Sequence, residues 1–174
     1  VQRICNEVLR EMQLPAIFTL YQPATRDAAQ QLVDDPRVPL ISFTGSSRVG
    51  RMVGERVASR YGRSLLECSG NNAVIVDATA NLDLAVPAIV FGAVGTAGQG
   101  CTSTRRVIAH ESIVGILGER LKHAYQLVPV GDPLEDGTLM GPLIDEAAVS
   151  GYLSAIDRVR ALGGEILCGG QRIE

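Results

Sequence analysis

The chain has 174 residues, 46% of them hydrophobic, which is enough to bury a real core as one large domain or pieces of two. Its net charge is −3 and its basic residues are scattered, so it offers no electrostatic footprint for nucleic acid or for a membrane surface. No apolar run reaches the roughly 18–20 residues of a transmembrane span, and the nearest, AVPAIVFGAVGTAG, reads as a core segment.

In chain order, VQRICNEVLREMQL spaces Ile4, Val8, Leu9 and Met12 at helical intervals, and Pro15 ends the pattern. AIFTLY reads as a short strand, and ATRDAAQQLVDD as an amphipathic helix stopped at Asp35-Pro36. Leu40 to Phe43 is a continuous apolar run suited to a buried parallel strand. After TGSSRVG comes the helix RMVGERVASRYG, then the strands RSLLEC and NAVIVD. A long apolar helix is predicted from Asn81 to Ala97, with Asn81 or Asp83 near its start and Pro87 in its first turns. RRVIAH follows as a strand and SIVGILGERLKHAYQL as a helix. GDPLEDGTLMGPLI is a structured loop, AAVSGYLSAIDRVRAL a helix, and GGEILCGG a strand bracketed by glycine pairs. Such alternation predicts an α/β class with largely parallel pairing.

The chemistry-bearing residues are few. Cys5, Cys68, Cys101 and Cys168 have no metal-ligand spacing, so no metal site is expected, and reduced thiols of a cytoplasmic protein are. Cys101 differs from the others because it follows a glycine-rich turn (Gly95, Gly98, Gly100) at the end of an apolar helix. A thiol at such a junction can be held open to substrate while backbone N–H groups point at the same place. Alone, such a cysteine is more often a buried small hydrophobe than a nucleophile. Glu67 ends an apolar run, where a glutamate is commonly a solvated group. Together, a thiol nucleophile and a carboxylate base are what making and hydrolysing a thioester requires.

FTGSSRVG is a glycine turn into a helix N-terminus, which suits a pyrophosphate, although Ser46 reads equally as a helix N-cap. It is neither a Walker A sequence nor a GxGxxG fingerprint. Asn71-Asn72 read as turn residues. His110 and His123 read as surface or strand-end residues, with no Cys–His dyad. Spacing alone leaves the function open.

Taken together, FTGSSRVG, LLECSGNNAVIV, TAGQGCTSTRR and GDPLEDGTLMGPLI, in this order, resemble the NAD(P)-dependent aldehyde dehydrogenases. GRSLLE, GNNAVIV, FGAVGTAGQ and CTSTRR are most like the antiquitin-like branch, which oxidises α-aminoadipic semialdehyde. The resemblance covers essentially the whole chain. It implies the end of a Rossmann-like cofactor domain over residues 1–69 and the start of an α/β catalytic domain over 70–174. It implies Cys101 as the nucleophile and Glu67 as the base for deacylation. Gly45, Ser46 and Val49 would hold the cofactor's pyrophosphate and adenine, and Ser69 would lie beside the nicotinamide. The cofactor implied is NAD, with NADP as the alternative, and the substrate a small aldehyde. The implied reaction runs through a Cys101 thiohemiacetal and thioester, with a homo-oligomer expected of the full-length enzyme.

Two positions depart from the family pattern. Glu67-Cys68-Ser69-Gly70 stands where Glu-Leu-Gly-Gly is usual, so the Ser69 side chain would crowd the nicotinamide. Gly100 stands where the branch has an Arg that helps bind the substrate carboxylate. Family chains extend beyond both ends of this one, and no turnover is expected from these 174 residues alone. Two other readings are a non-catalytic nucleotide-binding or oligomer-forming remnant, and a thioester-handling hydrolase or acyltransferase. The second needs no dinucleotide site, so FTGSSRVG argues against it.

Overall fold

A computed structural model describes residues 1–173. The chain divides into two compact units, Val1–Cys68 and Ser69 onward. Each is described by itself.

The first unit contains α1 (Gln2–Glu11), α2 (Arg26–Asp34), β1 (Leu40–Gly45), α3 (Ser47–Ser59) and β2 (Arg63–Cys68). β1 and β2 pair in parallel, from Leu40 opposite Arg63 to Gly45 opposite Cys68, with α3 as the crossover. Helix α3 buries Gly50, Val53 and Val57, which recur on one face of a 3.6-residue period. Helix α2 begins at a Thr25 cap whose hydroxyl accepts from Ala28 N–H. It is tied to α3 through the Arg56 guanidinium, whose Nε lies 2.7 Å from an Asp34 carboxylate oxygen. Arg60 adds a bond from its Nε to the Val33 carbonyl at 2.9 Å.

The strand expected at AIFTLY does not form: residues 16–21 carry no regular structure. The Asn6 side chain explains why. Its amide donates to the Phe18 carbonyl at 2.7 Å and accepts from Phe18 N–H at 3.4 Å, taking the place of a neighbouring peptide. Gln2 donates to the same carbonyl. The polar groups of the segment's centre are satisfied by α1, so no strand partner is needed.

The Arg56–Asp34 pair and a second one, Arg37–Asp35 at 2.6 Å just past the end of α2, have an acid signature. Hydrogen bonds from Arg56 hold the Asp34 carboxyl below its ordinary 3.8, and those from Arg37 lower Asp35 to about 2. A carboxyl depressed in the folded state stabilises it above the unfolded pKa and loses that contribution as pH falls through the folded value. The α2 end is therefore expected to loosen between about pH 4 and pH 2. Thermal midpoints should fall more steeply over that range in the native chain than in Asp34→Asn or Asp35→Asn; superimposable profiles would refute the assignment.

The second unit contains β3 (Asn72–Val76), α4 (Leu82–Val94), β4 (Thr104–Ala109), α5 (Val114–Gln126) and α6 (Glu146–Ala161). β3 and β4 are parallel, with a register shift between Asn72, opposite Thr104, and Ala73, opposite Arg106. Val76, Val86, Ile89 and Leu117 form the core between this pair and helices α4 and α5. Burying each such side chain is worth on the order of 1.5–3 kcal/mol. Asn81 caps α4 by accepting from Asp83 N–H, and Asp83 pairs with Arg120 of α5 at 2.6 Å. Asp145 caps α6. Apart from Asp83, helix α4 is built of apolar residues and one glycine, and its Leu84 and Phe91 are 70% and 81% exposed. Such a helix belongs inside a larger packed structure.

Two expectations fail in this unit. The long helix ends at Val94 and not at Ala97, because Thr96, Ala97 and Gly98 have φ of 51°, 53° and 72°. GGEILCGG is not a strand either. Gly163 and Gly164 close α6 by bonding back to Arg160 and Val159, and Gly169 and Gly170 have positive φ. These glycines terminate a helix and turn the chain, and Glu165–Cys168 between them pairs with no strand among the described residues.

Candidate active site

In the first unit, the parallel register brings two of the expected site elements together. Thr44 lies opposite Glu67, and Gly45 opposite Cys68, so the glycine turn and the carboxylate occupy neighbouring strand ends. Glu67 is exposed and forms no ion pair among the described residues. Ser46 is the N-cap of α3, its hydroxyl accepting from Val49 N–H at 3.3 Å. The first intrahelical bond runs from Gly50 N–H to the Ser46 carbonyl. That geometry leaves the N–H groups of Ser47 and Arg48 without helical acceptors at the positive end of the dipole. Gly50 gives room for Cys68: a Cβ there would sit 2.6 Å from the Cys68 sulfur, which would have to move. Cys68 thus packs the strand end against the start of α3.

In the second unit, Cys101 is exposed at the centre of a tight turn. Ser103 N–H bonds the Gly100 carbonyl at 3.2 Å, and Gly100 N–H bonds the Ser103 hydroxyl at 3.2 Å. Ser103 itself is only 5% exposed, so it anchors the turn from inside. Arg105 donates to the Gly100 carbonyl. Gln99 ties the turn to its flanks, donating to the Thr96 carbonyl at 3.0 Å and accepting from Ile144 N–H at 2.8 Å. The left-handed run at Thr96–Gly98 lies just before it. For a β-branched threonine that conformation costs energy, of order 1–2 kcal/mol per non-glycine residue. Strain of this kind persists only where surrounding bonds over-determine it, as the backbone and side-chain bonds of Gln99 to the Thr96 carbonyl do here.

Sequence reasoning missed Asn72. It is the first residue of β3 and not part of a turn, and its amide donates to the Cys101 carbonyl at 2.7 Å and the Ser103 carbonyl at 3.2 Å. Gly70 belongs to the same arrangement, because a Cβ there would lie 2.2 Å from the Cys101 carbonyl oxygen. Arg106 fixes Asn71 by donating to its carbonyl at 2.7 Å. The one signal in the sequence was the run of polar and small residues, Ser69 to Asn72, before an apolar strand. Ser69 is exposed and lies in the link between β2 and β3. The four thiols are all free, and no metal-binding cluster occurs among the described residues.

Comparison with known proteins identifies the family. The aldehyde dehydrogenase family model matches residues 1–174. Aldehyde dehydrogenase family 7 member A1 of Pisum sativum is 45% identical over 175 residues, covering 100% of this chain and 34% of its own length. Bovine (Bos taurus) alpha-aminoadipic semialdehyde dehydrogenase is 43% identical over 171 residues, covering 98% of this chain and 32% of its own. The chain thus spans about a third of the length of these relatives. Among solved structures, an NAD-dependent aldehyde dehydrogenase from Sinorhizobium meliloti superposes with a TM-score of 0.90 at 38% identity, over 97% of this chain and 34% of that one. A Mycobacterium tuberculosis aldehyde dehydrogenase complexed with NAD+ gives 0.89 at 33% identity, over 97% and 35%. With an exposed cysteine in a braced turn, a glutamate beside a glycine–helix junction and a family match along its whole length, the chain belongs to the aldehyde dehydrogenase family.

Proposed function

We propose that this chain carries the nucleophile and base of an NAD-dependent aldehyde dehydrogenase that oxidises a small aldehyde to its carboxylic acid. The observation that carries this reading is the exposed Cys101 held in a turn braced from inside by Ser103 and from β3 by Asn72. Residues 1–69 would supply the cofactor side and residues 70–174 the catalytic side, a division one residue beyond the end of the first compact unit at Cys68. Gly45, Ser46 and Val49 at the start of α3 would hold the dinucleotide's pyrophosphate and adenine. The residues fit an anion, because Ser47 and Arg48 present helix N–H groups and Gly45 adds no side chain at the junction. NAD, when bound, would supply the hydride acceptor, and Ser69 would be the residue facing its nicotinamide; NADP is the alternative.

The protein's own part is covalent. The Cys101 thiolate attacks the aldehyde carbon and later carries the acyl group as a thioester. Glu67 takes a proton from the water that hydrolyses it. Among aldehydes, the relatives' names favour α-aminoadipic semialdehyde. Gly100 adds no side chain before the nucleophile, so the substrate's carboxylate must be held elsewhere or the aldehyde is a different one. A homo-oligomer of the complete enzyme and a cytoplasmic location fit the same reading. The competing reading, a non-catalytic nucleotide-binding remnant, is favoured by Ser69 in place of the family's glycine.

Site-resolved alkylation separates the two. Limiting iodoacetamide near neutral pH, followed by peptide mass spectrometry, should label Cys101 well ahead of Cys5, Cys68 and Cys168, and NAD should change its rate. Equal labelling of Cys101 and Cys168, both exposed, would sink the catalytic reading. The 174 residues alone are expected to form no NADH with any aldehyde.

A further inference from the structure

We propose that Asn72 is a positioning residue for Cys101, an inference that rests on Cys101 being the nucleophile. The Asn72 amide spends both of its N–H donors on one turn, at the Cys101 and Ser103 carbonyls. Its orientation is fixed, because both neighbours are carbonyl oxygens and only the nitrogen end can meet them. The register shift between Asn72 and Ala73 marks a local break in the β3–β4 ladder at this residue. Breaks of that kind re-aim a side chain next to functional sites.

The consequence lies in the peptide joining Cys101 to Thr102. In a trans peptide the C=O and N–H point in opposite directions. Holding the Cys101 carbonyl toward Asn72 therefore turns the Thr102 N–H to the other side of the turn. Gly100 N–H and Ser103 N–H are both used inside the turn. Among the described residues, Cys101 N–H and Thr102 N–H have no acceptor. The two spare donors thus belong to the thiol-bearing middle of the turn. Asn72 keeps the Thr102 N–H aimed, and the bonds of Ser103 N–H and Arg105 to the Gly100 carbonyl hold the Cys101 N–H of the next peptide, for the oxygen that becomes negative when the Cys101 sulfur attacks a carbonyl carbon. Such donors contribute only if they are fixed before the charge develops.

Two reagents tell this role from a merely structural one. With p-nitrophenyl acetate, the thiolate sulfur bonds to the acetyl carbon, the acyl–oxygen bond breaks, and p-nitrophenolate leaves with the electron pair. That path builds an oxyanion. With iodoacetamide, the carbon–sulfur bond forms as iodide leaves from the same carbon, and no oxyanion appears. Both reactions are to be followed by mass spectrometry at Cys101, with Cys168 as the exposed reference thiol.

Asn72→Ala and the equal-shaped Asn72→Asp, run together on the 174-residue chain with circular dichroism, cover a folding failure of either one. Acetylation of Cys101 is expected to fall at least about tenfold in both, while alkylation falls less than about threefold and Cys168 is unchanged. A parallel fall of both reactions, or no fall in either, would overturn the role of Asn72. If the native chain acetylates Cys101 no faster than Cys168, the nucleophile reading fails first and this inference with it.

Discussion

Replacing Glu67 by glutamine in the complete enzyme is expected to leave acylation of Cys101 intact and to stall release of the acid. Glutamine keeps the shape and hydrogen-bonding reach of the side chain but cannot accept the water's proton. The residue sits at an exposed strand end beside the glycine turn, opposite Thr44, and no cation among the described residues holds it. Such a carboxylate is free to work as a base. The measurement is rapid-mixing NADH formation followed by intact-mass analysis. A burst of about one equivalent per site and an acyl adduct on Cys101 should precede a steady state slowed by roughly 10²–10⁴. A normal steady-state rate would remove Glu67 from the mechanism. An absent burst would place its role before the thioester instead.

Much of this arrangement was legible in the sequence, and the reasons are specific. Thr25, Asn81 and Asp145 precede helices and accept from their first N–H groups, so those starts follow from cap chemistry. Leu40–Phe43 and NAVIVD read as strands because their apolar runs are short and bounded by turns, and both pair in parallel, although Leu40 and Ile75 stay exposed and the burial expected of the first does not follow. AIFTLY has the same composition as those strands, yet Asn6 takes its central hydrogen bonds. Composition shows that a segment can pair, but not whether a side chain from a neighbouring helix reaches it first.

The nucleophile turn was half legible. Cys101 stood out by its glycines, but Thr96 and Ala97 carry no cue for positive φ, so the helix was read through them. Asn72 acts on a turn 29 residues downstream, through the β3–β4 register. A contact of that span is fixed by strand pairing, which no local pattern records. Ser46 was open between a cap and a cofactor contact. It caps α3, and a cap hydroxyl beside free helix N–H groups leaves room for an anion at the same end.

Gly70→Ala is expected to be the most damaging single methyl in the second unit. The added Cβ would sit 2.2 Å from the Cys101 carbonyl oxygen and 3.1 Å from the Asn72 amide nitrogen. The first of these is backbone, so relief requires moving the nucleophile turn or the link that carries Gly70. Overpacking of this kind costs about 1–3 kcal/mol, and the displacement pushes the Cys101 carbonyl away from the amide that holds it. Stability and thiol chemistry should therefore fail together. Gly95→Ala is the matched control, because a Cβ there meets nothing within 4 Å and its φ is −51°. That control should stay within about 0.5 kcal/mol of the native chain. Thermal melts together with site-resolved labelling of Cys101 would decide it. Gly70→Ala should melt earlier and lose the preference for Cys101 over Cys168, whereas Gly95→Ala should keep both. Equal behaviour of the two variants would mean that the turn tolerates a shift of its carbonyl, and that the close approach of Gly70 to Cys101 does not set the thiol's reactivity.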